Sequence, residues 1–229
     1  MCCSFKDLKL IKTSDGSHTI VIPSLDETYH SHHGAITESK HVFIHQGLDV
    51  LINKIPKMNI LEVGLGTGLN ALLTWEKVII PQILVKYTAI EPYPLPADFV
   101  EKLNYASYLK NLSHARQSLM KLHATPQNRW IQMDNNFHIF KSTETIQTFP
   151  SGGDGFHLVY FDAFAPNKQP EMWTAEVLSK IYQLMLPNAI MVTYCAQGKF
   201  KRDLNEIGFV VETLDGPPGK KEMVRATKS

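Results

Sequence analysis

Cysteine is scarce: the 229-residue chain has three, and two of them, Cys2 and Cys3, are adjacent. Two neighbouring thiols and a distant Cys195 cannot build a disulfide framework. A reducing cytoplasm is the simplest setting for such a chain. Long apolar runs are missing as well; none reaches the roughly 18 residues needed to cross a bilayer, so no membrane partner is expected. The N-terminus, Met1-Cys2-Cys3-Ser4-Phe5-Lys6-Asp7, lacks the apolar core of a secretion signal. Net charge is nearly absent at +1, so no global field announces a polyanion partner. Acidic residues are absent locally too. None lies between Lys102 and Met133, where Lys102, Lys110, Arg116, Lys121 and Arg129 occur, and a second basic knot holds Lys220, Lys221 and Arg225. Local basic surfaces of this kind steer nucleic acid even at zero total charge, although a solvated helix face is the plainer reading.

Histidine is plentiful, but a metal set is not. His30, His32 and His33 crowd one polar stretch, and His41 and His45 lie one helical turn apart. The glutamate of the zinc-protease helix motif is missing between them, and no cysteine or carboxylate set completes a site. No metal is expected. The polar stretch carrying Tyr29 and Ser31 reads instead as a loop able to cover a ligand.

What is present is a hydrophobic fraction of 44%, enough for one α/β domain with an N-terminal addition. Two apolar-rich runs, Leu8–Lys12 and His18–Ile22, flank Asp15-Gly16, a hairpin signal. Ala35 to Asn53 has helical periodicity. From there strands and helices alternate. Strands are expected at 58–61, 83–90, 137–140, 156–161, 189–195, 209–214 and 222–226. Helices are expected at 71–77, 97–110, 112–123, 170–186 and 198–206. This alternation predicts a Rossmann-like, mostly parallel sheet with helices on both faces. Residues 1–55 are expected to form a hairpin and helix extension packed on the core, and 56–229 the main domain.

Chemistry concentrates in Leu61-Glu62-Val63-Gly64-Leu65-Gly66-Thr67-Gly68-Leu69-Asn70. A glycine turn between a strand and a helix brings backbone N–H groups and a helix N-terminus to a ligand. The dinucleotide spacing G-x-G-x-x-G/A fails from Gly64, whose sixth position is Leu69, and passes from Gly66 only by starting the turn two residues late. The pattern acidic-x-G-x-G-x-G is filled by Glu62, Gly64, Gly66 and Gly68. An acidic residue there suits the ammonium group of S-adenosylmethionine and would repel a pyrophosphate. Glu91, followed by Pro92 at the end of the next strand, is placed to accept both ribose hydroxyls of either cofactor. Asp162 closes a buried strand ahead of Ala163-Phe164-Ala165-Pro166. At that edge a carboxylate can take a proton from an amine and aim its lone pair for in-line methyl transfer. An aspartate at this place can also be a helix cap.

Beyond the glycine motif, the run Phe161-Asp162-Ala163-Phe164-Ala165-Pro166-Asn167-Lys168-Gln169-Pro170-Glu171-Met172-Trp173-Thr174 is specific. Together with Thr193-Tyr194-Cys195-Ala196, Lys201-Arg202 and Gly216-Pro217-Pro218-Gly219-Lys220-Lys221-Glu222-Met223, it resembles the tRNA 5-(aminomethyl)-2-thiouridine methyltransferases. Tyr29-His30-Ser31, Thr37-Glu38-Ser39 and Val42-Phe43 look like that family's N-terminal signature. The resemblance spans nearly the whole chain. It implies an S-adenosylmethionine-dependent enzyme that methylates the aminomethyl nitrogen of a wobble uridine near the tRNA anticodon. Asp162 would orient or deprotonate the amine. The cofactor would be held by Tyr29, Ser31, Glu62, Gly64, Gly66, Thr67, Gly68, Asn70, Glu91, Pro92 and Asp162. Lys201, Arg202, Lys220, Lys221 and Arg225 would meet tRNA phosphates. In some members a flavin-dependent oxidase is fused to this domain; with the sequence ending at Ser229, no FAD domain is expected here. The Gly-Asp that meets adenine in related enzymes is replaced by Lys141-Ser142-Thr143-Glu144, which leaves the adenine contact open. A small-molecule amine methyltransferase and a catalytically silent tRNA-binding module are the alternatives, with an NAD oxidoreductase behind them. The sequence sets no oligomeric state.

Overall fold

The computed structural model describes residues 7–229; the paired cysteines and the residues before Asp7 lie outside it. The chain opens on a small antiparallel sheet of β1 (Lys9–Lys12), β2 (His18–Ile22) and β3 (Glu27–Thr28). The Asp-Gly hairpin is present, with Lys9 opposite Val21 and Lys12 opposite His18. The short β3 was not anticipated: only two residues long, it carries no periodicity of its own.

Helical residues then run from α1 (Ala35–Ser39) through a π-helical stretch, Lys40–Leu48, to α2 (Asp49–Leu51). Gly47 lets this helix lie directly on the sheet. A Cβ there would stand 3.0 Å from Val192 and 3.3 Å from the Tyr160 ring. Val42, Phe43 and Leu48 are buried in the same core as Ile20 and Ile60, which joins the N-terminal segment to the main sheet.

The main sheet contains β4 (Lys57–Val63), β5 (Leu84–Ile90), β6 (Trp130–Gln132), β7 (Phe137–Ser142), β8 (Phe156–Phe161), β9 (Met185–Thr193), β10 (Phe209–Asp215) and β11 (Glu222–Lys228). Its order is β10-β11-β9-β8-β4-β5-β7-β6. The central pairs β7–β5, β5–β4, β4–β8 and β8–β9 are parallel, while β6 and β11 pair antiparallel with their neighbours. The helices are α3 (Leu69–Ile79), α4 (Ala97–Val100), α5 (Ala115–Ala124), α6 (Ala175–Leu184) and α7 (Gly198–Ile207). Two apolar layers result. One face of the sheet buries Met58, Ile60, Tyr87 and Phe137 against α3. The other buries Leu61, Val63, Val159 and Phe161 with Val177, Ile181 and Leu204 of α6 and α7.

Two helix expectations fail for identifiable reasons. The single helix over 97–110 breaks after α4 and resumes as a 3₁₀ turn, Tyr105–Tyr108. Between them Asn104 bonds the hairpin: its Nδ2 donates to Gly16 O at 2.9 Å and its Oδ1 accepts from His18 N–H at 2.8 Å. Those tertiary bonds override local propensity. The helix over 170–186 divides at Thr174, whose hydroxyl caps α6 by accepting from Val177 N–H, and residues from Met185 onward already pair as β9. The edge strand β6 was not foreseen.

Asp15 ties the hairpin to α1. Its carboxylate accepts from Ser17 N–H at 3.0 Å, Thr37 N–H at 2.9 Å and Thr37 Oγ1–H at 2.8 Å. Burial opposes ionisation, but these bonds win and hold the carboxyl down at about 2 against an ordinary 3.8. Asp15→Ala is expected to cost about 1–3 kcal/mol by denaturant titration. Because the folded-state value is depressed, the deficit is full above pH 3.8 and shrinks as pH falls toward about 2.

Candidate active site

The ends of β4, β5 and β8 converge at the glycine turn. Gly64 N–H donates to Ile90 O at 3.0 Å, and Asp162 N–H donates to Val63 O at 3.1 Å. Gly64 has φ +93°, and a Cβ on it would lie 2.6 Å from Asp162 O. Only glycine meets both demands at once. Gly66, at φ +49°, faces the Tyr29 ring, which a Cβ would approach to 2.9 Å. The turn is buttressed from behind: His123 donates its Nε2–H to Thr67 O at 3.0 Å, and Tyr105 Oη–H donates to Thr67 Oγ1 at 3.1 Å. Burial lowers the His123 value to about 4, which keeps the ring neutral.

A cavity of about 710 Å³ opens above the turn, within the range of small-molecule sites. Gly64, Gly66, Thr67, Asn70, Glu91, Pro92 and Asp162 line it, and Tyr29 and Ser31 reach it from the N-terminal segment. Glu91 points one oxygen at Gly66 N–H (2.8 Å) and the other at Tyr93 N–H (2.9 Å). Burial pushes this carboxyl up to about 7 even though both bonds favour its charged form. Asp162 receives one bond, from Asn70 Nδ2–H to Oδ2 at 2.8 Å. Burial first, and then the negative Glu38, push Asp162 up to about 7; Asn70 and Lys220 pull the other way.

Two side chains pin the loop after Asp162 through its carbonyls. The Trp173 indole N–H donates to Phe164 O at 2.7 Å, and Tyr194 Oη–H donates to Ala163 O at 2.8 Å. Phe164 then meets Tyr29 edge-on, with ring centroids 5.2 Å apart. Glu38 bridges two loops: it accepts from Ser31 N–H at 2.7 Å and pairs with Lys220, whose ammonium sits 4.1 Å from the Tyr194 ring centre.

Several anticipated residues stand elsewhere. Gly68 does not line the cavity; it starts α3 beneath it, at φ +75°. Glu62 does not line it either. Its side chain is fully buried on the sheet face under α3, behind the cavity wall. The five late cations do not form one free patch. Lys201 pairs with Glu222 at 3.1 Å, Arg225 with Glu212 at 2.8 Å and Lys220 with Glu38, which leaves Arg202 and Lys221 exposed. Two of the histidines near the N-terminus make ordinary bonds: His30 is buried against Thr19, and His41 donates to Asp215 O. Sequence reasoning missed Glu38 and Tyr194 as cavity residues. Each lies in a stretch that carries the resemblance, but nothing in its local pattern says that it faces a ligand.

A glycine turn at the carboxyl edge of a parallel sheet, beside two half-buried carboxylates, defines a Rossmann-like cofactor-binding domain. A family model described as S-adenosyl-L-methionine-dependent methyltransferase matches residues 104–229, more than half of the sequence. The chain belongs to that family, and its cofactor is S-adenosyl-L-methionine. It is 30% identical over 212 residues to the tRNA 5-methylaminomethyl-2-thiouridine biosynthesis bifunctional protein MnmC of Cupriavidus necator, covering 90% of this chain and 32% of that protein. It is 27% identical over 243 residues to the protein of the same name from Burkholderia mallei, covering 94% and 34%. The chain thus spans about a third of the length of these curated relatives. Among solved structures, MnmC2 from Aquifex aeolicus matches with a TM-score of 0.77 at 22% identity, covering 96% of this chain and 70% of that one. Spermidine synthase from Thermotoga maritima matches at 0.54 and 12% identity, covering 96% and 73%. Both likenesses are of fold. Among the described residues, no helix is long and apolar enough to cross a membrane, and no three His, Cys, Asp or Glu side chains assemble as a metal set.

Replacing Gly64 by alanine forces a side chain against the Asp162 carbonyl in a left-handed backbone. It is expected to cost about 1–3 kcal/mol in thermal or chemical denaturation. Equal stability would mean that the turn can shift away from β8.

Proposed function

We propose that this enzyme methylates the exocyclic aminomethyl nitrogen of 5-aminomethyl-2-thiouridine at the tRNA wobble position. The observation that carries the reading is Asp162: a carboxylate on the cavity wall, held through one oxygen by Asn70, beside the aromatic groups of Phe164 and Tyr194. The relatives similar to nearly all of this chain are named for tRNA 5-methylaminomethyl-2-thiouridine biosynthesis, which supports the same substrate.

The cavity residues suit the cofactor. Gly64 and Gly66 present bare backbone to the cavity, and Glu91, fixed by the N–H groups of Gly66 and Tyr93, keeps further lone pairs on its carboxyl oxygens to accept from a ribose diol. Glycines 64 and 66, Thr67, Glu91 and Pro92 would hold it, with Tyr29 and Ser31 covering it from the N-terminal segment. S-adenosylmethionine supplies a methyl group bonded to a positively charged sulfur. Asp162 prepares the acceptor: its free oxygen takes a proton from the incoming ammonium and orients the nitrogen lone pair. Phe164, Tyr194 and Tyr29 keep water away from that step and flank the base. Arg202 and Lys221, exposed near the catalytic edge, are the cations of the late cluster free to meet phosphates.

Incubating the protein with S-adenosylmethionine and tRNA bearing the aminomethyl nucleoside, followed by nucleoside mass spectrometry, tests the reading. A gain of one methyl group on that nucleoside is expected; its absence would falsify the assignment. A small-molecule amine acceptor is the competing reading, favoured by the carboxylate partners of Lys201, Lys220 and Arg225. It predicts methylation of free amines with no dependence on tRNA or salt.

Asp162→Asn should lower kcat about 100- to 10,000-fold while the cofactor still binds. With the Asp162 carboxyl raised to about 7, it is protonated and unable to act as a base below that pH, so kcat should fall as pH drops through about 7. Glu91→Gln should weaken S-adenosylmethionine binding about 10- to 100-fold by calorimetry, the worth of hydrogen bonds to a charged acceptor. Unchanged affinity would remove Glu91 from the cofactor site.

A further inference from the structure

His30 lines the cavity and takes no part in the proton transfer assigned to Asp162. Its main chain is clamped on both sides. The N–H donates to Thr19 Oγ1 at 3.1 Å, and the carbonyl accepts from Thr28 Oγ1–H at 2.7 Å. The residue is 8% exposed, and its Nδ1 lies 3.1 Å from the same Thr19 hydroxyl. Thr19 is fully buried, so no water reaches that hydroxyl. Its one proton has His30 Nδ1 as its acceptor among the described residues. Were Nδ1 the donor, the buried hydroxyl proton would be left without a partner, at the full cost of its desolvation. The ring therefore accepts at Nδ1 and carries its own proton on Nε2. Among the described residues nothing bonds Nε2, and it is not one of the unpartnered polar atoms sealed in the core. It is an unspent N–H at the cavity surface.

We infer that the Nε2–H of His30 binds the carboxylate at the amino-acid end of the cofactor. The inference rests on S-adenosylmethionine as cofactor and not on the tRNA acceptor. Charge decides where that carboxylate can go. Glu27, Glu38, Glu91, Asp162 and Glu171 all line the cavity. An incoming carboxylate is repelled by each of them and needs donors instead. Two lysines line the cavity too, but each already faces a carboxylate: Lys168 pairs with Asp26 at 3.2 Å, and Lys220 pairs with Glu38. His32 and His33 are exposed. The donor of His30 has no such claim on it.

Its place in the fold agrees. The His30 ring meets the Tyr105 ring edge-on, with centroids 6.3 Å apart, and Tyr105 Oη–H grips Thr67 Oγ1 at 3.1 Å. Thr67 stands two residues before the start of α3, whose first residues, Leu69 and Asn70, line the same cavity. The positive end of that helix favours an anion beside it. Burial pulls the His30 ring down to about 4; Glu38 and Asp15 oppose the shift, and Lys220 adds to it. The ring is therefore neutral near pH 7 and meets a carboxylate as a fixed N–H donor, a charge-assisted bond that needs no proton uptake.

Calorimetry with two ligands tests the assignment: S-adenosylhomocysteine, and its decarboxylated analogue, which keeps the ammonium group. His30→Phe keeps an aromatic ring and removes the Nε2–H. It should weaken S-adenosylhomocysteine about 10- to 100-fold, the worth of a hydrogen bond to a charged group, and change the analogue by less than about threefold. His30→Gln, whose amide N–H can reach as far as Nε2–H, should recover most of that loss. Equal weakening of both ligands would make His30 a prop for the cavity wall and overturn the inference, as would no weakening of either. Nitrogen NMR of the parent protein needs no variant to fold. Without ligand, the His30 ring should carry its proton on Nε2. That N–H signal should move on addition of S-adenosylhomocysteine and stay in place with the analogue. A proton on Nδ1, or the same movement with both ligands, would sink the assignment. If the phenylalanine variant does not fold, the NMR arm decides. None of these measurements uses tRNA, so their failure and the failure of the acceptor reading are told apart.

Discussion

Everything at the active edge depends on how closely the end of β4 approaches the end of β8. A Cβ on Gly64 would lie 2.6 Å from the Asp162 carbonyl oxygen. That approach places the turn that would hold a cofactor and the carboxylate that would serve an acceptor on one short arc of backbone. Parallel pairing of β4 with β8, with Val63 opposite Phe161, fixes the register that brings them level. A slip of one residue would send the Asp162 side chain to the other face of the sheet.

The second layer of organisation is polar and lies behind the first. Thr67 is gripped by His123 and Tyr105, Asp162 by Asn70, and Glu91 by the backbone of Gly66 and Tyr93. Each grip fixes the direction of a group that would otherwise rotate. Burial without a cation partner costs the two cavity carboxylates part of their charge near neutral pH, and both are raised to about 7. Functional sites retain such strain because the same burial strengthens the interactions made with a bound ligand.

The N-terminal segment completes the pocket. Asp15 anchors the hairpin to α1, Glu38 ties Ser31 to Lys220, and Tyr29 packs edge-on against Phe164. The basic residues of the C-terminal loop therefore divide in role. Lys220 joins the cavity wall as a structural cation over Tyr194, while Arg202 and Lys221 stay in solvent.

Hydrophobic periodicity and the glycine turn were enough to read the Rossmann-like alternation of strands and helices, because buried parallel strands and amphipathic helices carry their own repeat. The carboxyl-edge residues Gly64, Glu91 and Asp162 were legible for the same reason: each closes an apolar strand. What the sequence could not decide was contact. Strand β6 and the break between α4 and the 3₁₀ turn are set by Phe140 and by Asn104 reaching to Gly16, partners distant along the chain. The pairing of Lys201, Lys220 and Arg225 with acidic residues is equally invisible to local pattern. Glu62 marks the boundary most sharply. Its spacing from the glycines predicts a ligand for an ammonium group. The pleat of β4 instead turns its side chain under α3, where only tertiary packing sets which atoms it meets.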